Sequence, residues 1–100
     1  MEVIKKKSNG ILFVAVKGRL DANTASELEA EVAKDLANFQ EIHLDFTDLI
    51  YLSSAGLRVL LSFHKSVSQK GGKLVILHPC DEVMEILSMT GFADFLEIEW

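Results

Sequence analysis

A chain of 100 residues, nearly half hydrophobic and a quarter charged, has the composition of one small globular domain built on a single core, expected to span residues 1–100. Its formal net charge of -5 argues against a general nucleic-acid or acidic-membrane binder, because such surfaces need clustered Lys and Arg. Cys80 has no partner for a disulfide, the start MEVIKKKSNG is unlike a signal peptide, and no apolar run approaches the roughly twenty residues that cross a bilayer, so a soluble cytoplasmic protein is expected.

Val3 and Ile4 open a short strand, Ser8-Asn9-Gly10 supplies a turn, and Ile11 to Val16 form a second strand, so the chain should begin as a β-hairpin. Lys5 to Lys7 read as charges that protect a sheet edge from pairing with other chains. After Gly18 to Leu20 comes Asp21, and Thr24 with Glu27 three residues later matches a capping box ahead of a helix. Leu28, Val32 and Leu36, with Ala25 or Ala33, should form the buried side of that helix, leaving Glu27, Glu29, Glu31 and Lys34 in water.

Ile42, Leu44 and Phe46 alternate with His43 and Asp45, which predicts a strand that delivers the chain to Ser53-Ser54-Ala55-Gly56. Leu57, Leu60, Leu61 and His64 then recur at helical spacing, so the two serines sit at a helix start. The unpaired N–H groups and partial positive charge of a first turn accept either a capping Ser side chain or a phosphate. Residue types alone leave both roles open. Lys70-Gly71-Gly72 should stop this helix, Lys73 to Leu77 should form a buried strand, and Asp81 should cap a third helix burying Val83, Met84, Leu87 and Ile86. Met84 and Met89 read as core filler. Gly91 closes the helix, and Phe92, Phe95, Leu96 and Ile98 read as a packed helical turn leading into a last strand. The expected fold is α/β, a mixed sheet with an N-terminal antiparallel hairpin and helices packed on it.

Several chemistries find no support. His43, His64 and His78 lack the spacing of a zinc site, and Asp45 and Asp48 are weak candidates for an acid/base pair or metal site. Neither GxxxxGK[ST] nor GxGxxG follows a strand, and no GxSxG surrounds Ser54. No cofactor and no metal are expected, and an enzyme is the weaker class.

The stretch LIYLSSAGLRVLL resembles the signature of STAS domains of the anti-sigma factor antagonist type. GRLDANTA at Gly18 to Ala25, the LDF of Leu44 to Phe46, and TGFADFLEI near the end are similar to family positions in the same order, so the resemblance covers essentially the whole chain. It implies the same mixed-sheet architecture. Aligned on Gly56, the family's phosphoserine falls on Ser54, while Ser53 stands where many members carry Asp. The implied function is a switch: dephosphorylated, the chain binds an anti-sigma factor that is also a serine kinase of the GHKL type, and phosphorylation of Ser54 ends the complex until a PP2C-type phosphatase resets it. The partner-binding face would comprise Ser53, Ser54, Ala55, Gly56, Leu57 and Arg58 with Asp21 and Asp45 on its rim, and Gly56 would allow close backbone approach or an unusual backbone angle. No nucleic-acid partner and no direct membrane insertion are implied. The alternative is a constitutive STAS-like subunit of a lipid-transport assembly.

Overall fold

The computed structural model describes residues 1–100. Strands β1 (Glu2–Ser8) and β2 (Ile11–Leu20) form the antiparallel hairpin. Asn9 (φ 47°) and Gly10 (φ 80°) both take the left-handed backbone that a two-residue hairpin of right-twisted strands requires. Helix α1 (Ala22–Ala33) follows, then a 3-10 turn at Leu36–Asn38, and strand β3 (Glu41–Asp45) lies parallel to β2. Next come β4 (Leu49–Leu52), α2 (Ser54–Ser68), β5 (Lys73–Leu77), α3 (Asp81–Met89), a 3-10 turn at Phe92–Asp94, and β6 (Glu97–Glu99). The main sheet has the order β1-β2-β3-β5-β6, parallel except for the first pair, so the mixed α/β architecture read from the sequence is the one observed.

Strand β4 departs from expectation. The segment after Asp45 forms a second short strand that pairs with the far end of β2, Arg19 opposite Tyr51 and Leu20 opposite Leu52. The two pieces follow one another along β2, with β3 on its first half and β4 on its last three residues. The chain therefore reaches the serines through a strand anchored on β2 rather than directly from β3.

One face of the sheet carries Leu12, Val14, Val16, Ile42, Leu44, Leu74 and Ile76, all at most 2% exposed and packed in a single cluster with the helices. Ala25, Leu28 and Val32 bring α1 into it, and Leu57, Leu60, Phe63 and Val67 bring in α2. Leu61 and His64 only flank that stripe, because Phe63 and Val67 carry its lower half, and Ala33 is exposed. Val83 and Leu87 seat α3, but Met89 is 77% exposed and so is not core filler, while Phe95, 44% exposed, packs its ring against Phe92 and His64.

The caps also lie earlier than expected, by three residues on α1 and by one on α3. The box on α1 is Asp21 with Thr24: Asp21 Oδ1 accepts from Thr24 N at 3.0 Å, and Thr24 Oγ1 accepts from Asp21 N at 2.8 Å. Glu27 is not needed. On α3 the cap position is Cys80, and Asp81 is the first helical residue, where its charge complements the helix dipole instead of capping. The α2 stop is as read: Gly72 N donates to Val67 O and Gly71 N to Ser68 O, a Schellman end closed by Gly71 at φ 76°. Lys5 and Lys7 lie on the edge strand β1, and both reach across to Asp35 at 2.9 and 3.0 Å, so they also anchor the end of α1.

Candidate functional site

The end of β2 and the end of β4 bring two helix starts side by side. Ser53 N donates to Leu20 O at 2.9 Å, tying the residue before α2 to the residue before Asp21. Asp21 is committed to α1: Thr24, through its backbone N–H and its hydroxyl, holds the carboxyl below the usual Asp range. Ser53 is committed to α2, its hydroxyl accepting the Gly56 N–H at 3.2 Å. Ser54 is the first residue inside the helix, and it is exposed. Of the two serines, the first therefore caps and the second presents a hydroxyl to solvent.

The remaining residues expected at the site divide into two groups. Ala55 is half-buried and Arg58 exposed, so both reach the surface with Ser54. Gly56 and Leu57 face inward. A Cβ on Gly56 would lie 2.7 Å from Leu52 Cδ1 and 3.0 Å from Leu20 Cγ, and Leu57 is 9% exposed within the core cluster. Gly56 has no left-handed backbone, so the expectation of an open or unusual backbone there is corrected: the glycine lets α2 sit down on β2 and β4. Asp45 is half-buried at the end of β3, where its carboxylate accepts from Thr47 N and Thr47 Oγ1 and shapes the turn into β4. Asp48 sits 3.9 Å from Lys17.

Sequence reading missed Arg19, Ile50 and Tyr51. The Arg19 guanidinium lies 4.2 Å from the centre of the Tyr51 ring, and Ile50 is 63% exposed. Two adjacent large apolar residues exposed on one strand, immediately before a helix start, are the signal that β4 would have revealed. A shallow groove of about 400 Å³ continues from Ala55 and Arg58 between α1 and α2, with Glu29 on its opposite wall. No group of three or more His, Cys, Asp or Glu side chains is arranged to hold a metal ion, and no helix is long and apolar enough to cross a membrane.

The model of the STAS domain family matches residues 2–99. The chain belongs to the STAS domain family. A protein of Bordetella bronchiseptica named as an anti-sigma factor antagonist is 32% identical over 99 residues, covering 98% of this chain and 85% of the relative. A Thermotoga maritima crystal structure named likewise matches with a TM-score of 0.93 at 22% identity, covering 98% of this STAS chain and 86% of the other. The Bacillus protein SpoIIAA matches in its unphosphorylated form with a TM-score of 0.86 at 15% identity, covering 97% of this chain and 87% of that one. Its phosphorylated form matches with a TM-score of 0.78 at 14% identity, covering 97% and 90%. These relatives are named for antagonism of another protein, which is a binding function rather than a reaction.

Proposed function

We propose that this STAS domain is an anti-sigma factor antagonist switched by phosphorylation at Ser54. The observation that carries the reading is the division between the two serines: Ser53 Oγ is spent on the helix cap, and Ser54 is exposed at the first helical position. The names of the relatives agree with it. Unmodified, the surface formed by Ser53, Ser54, Ala55 and Arg58, with Asp21 beside it, binds an anti-sigma factor that is also a GHKL-type serine kinase, and the target of that kinase is set free. Asp45, expected on the rim, lies opposite Ala15, five residues along β2 from Leu20, and is not part of this surface. In the complex the Ser54 Oγ–P bond forms as the bond from the γ-phosphorus of ATP to its bridging oxygen breaks. ADP leaves, and the hydroxyl proton passes to a base on the kinase.

The physics of release is local. Phosphate adds about -1.5 to -2 charges at pH 7 to a face that already carries Asp21, so a partner surface suited to a neutral hydroxyl is repelled. The same charge sits at the favourable end of the α2 dipole, so the domain stays folded. A PP2C-type phosphatase resets the switch in the cytoplasm. The test is peptide mass spectrometry after incubation with the native kinase and ATP. One phosphate on Ser54 is expected, and a phosphate on Ser53 or none would overturn the assignment.

A further inference from the structure

Ser54 and Arg58 stand one helical turn apart on the exposed side of α2, and both are uncommitted. The cap bond belongs to Ser53, and Arg58 takes part in none of the ion pairs of the domain, which engage Lys5, Lys7, Lys17, Lys34, Lys73 and His43. The other arginine, Arg19, is held over Tyr51. The acid that shares the α1–α2 groove with Arg58 is Glu29, and the two form no ion pair across it.

We propose that Arg58 is the intramolecular counter-ion of a phosphate on Ser54, so that modification withdraws the guanidinium from the partner-facing surface together with the hydroxyl. The inference rests on the reading of Ser54 as the acceptor. An acidic group four residues N-terminal to a basic one on the same helix is the favourable order for an i,i+4 pair. A phosphoserine dianion offers three acceptor oxygens to the planar fork of an arginine, which a lysine meets only as a point charge. Glu29 competes poorly, since it carries one charge and reaches from another helix. The switch is then double: the partner meets added negative charge and also loses a cationic donor.

The test uses the full chain with phosphoserine installed at position 54 during translation, so no kinase is involved, and follows the phosphate by phosphorus NMR across pH. Pairing with Arg58 favours the dianion, so the second phosphate pKa should lie lower in the wild-type background than in Arg58→Gln by about 0.3 unit, the size of one exposed helical ion pair. Arg58→Lys should fall between them, and 1 M salt should erase most of the difference. Glu29→Gln should leave the low value in place. Equal values in the wild-type and Arg58→Gln proteins would overturn the proposal, as would an Arg58→Lys value equal to that of Arg58→Gln. Thermal unfolding of the unmodified variants confirms that each is folded. A kinase that failed to modify Ser54 would strike the functional reading alone, because this titration needs no kinase.

Discussion

The Ser53 hydroxyl accepts the Gly56 N–H at 3.2 Å, and this bond separates the roles of two adjacent serines. Ser53→Ala removes a cap and should lower stability by about 1 kcal/mol, whereas Ser54→Ala, at an exposed first-turn position, should change it by less than about 0.5 kcal/mol. Urea unfolding of the two variants measures the difference. A cost for Ser54→Ala as large as that for Ser53→Ala would mean that Ser54 carries the cap. Ser53→Ala should still accept phosphate.

Gly56 makes a second prediction, now about packing. Its Cα faces Leu52 and Leu20, and any added carbon falls inside their van der Waals envelope. Gly56→Ala gains helix propensity yet should lose about 1 to 3 kcal/mol overall, because the overpacking term exceeds the propensity gain. Pairing it with Leu52→Ala should cost less than the two single changes added together, since the second change makes room for the first. Additive costs in denaturant unfolding would refute the contact.

The same residues show how far the sequence carries. The hairpin was legible because Asn9-Gly10 has one good use between two β-rich runs, and both residues have the expected positive φ. The serine turn was legible as a helix start because the period changes there. Strand β4 was not, since Leu49-Ile50-Tyr51-Leu52 is apolar or aromatic throughout and so shows no alternation, while its burial at the two ends matches the i,i+3 spacing of a helix rather than the period of a strand. The inward direction of Gly56 was hidden for a different reason. It depends on Leu20, 36 positions earlier, and on the pairing of Leu20 with Leu52 that β4 creates. The α1 cap lies three residues before the expected Thr24 because Asp21 and Thr24 satisfy each other directly, leaving Glu27 without a role.

A third prediction concerns the far end of α2. A Cβ on Gly72 would lie 1.6 Å from Gln40 O, a backbone atom that cannot swing aside, while Gly71 has open space and only its φ of 76° to protect it. Gly71→Ala should therefore cost about 1 kcal/mol, and Gly72→Ala should cost more, because it must push β3 and β5 apart where they begin. Comparing the thermal midpoints of the two variants decides this. Equal losses would show that the α2–β5 turn can move away from Gln40.

Asp35 supplies a pH dependence. Hydrogen bonds from Lys5 and then Lys7 hold its carboxyl below the ordinary Asp value, against the opposing effect of burial. The folded pKa is thus lower than the unfolded one, so the stabilisation is fully present above about pH 4 and is lost as pH falls through the depressed folded value. Asp35→Asn should be less stable than wild type at pH 7, and its stability should decline less steeply below about pH 4. Parallel acid limbs in the two proteins would show that the Lys5–Asp35–Lys7 contact is energetically silent.

The last prediction separates binding from stability at the proposed switch. Because Ser53 already supplies the cap, Ser54→Asp does not need to serve as one. It places a carboxylate in the first turn of α2, where the helix dipole favours it by about 0.3 to 1 kcal/mol at low salt. Ser54→Asp should therefore have a thermal midpoint equal to or above that of Ser54→Ala. Affinity for the kinase partner should run the other way, since the Ala surface remains neutral while Asp sets a negative charge against the partner and beside Arg58. Calorimetric titration of the kinase with each variant is the measurement, and the Asp variant should bind more weakly than both wild type and Ser54→Ala. An affinity that rises with the thermal midpoint across the three proteins would leave Ser54 an ordinary first-turn residue, and the contact would then have to be sought at Ile50 and Tyr51 on β4, the exposed apolar pair next to it.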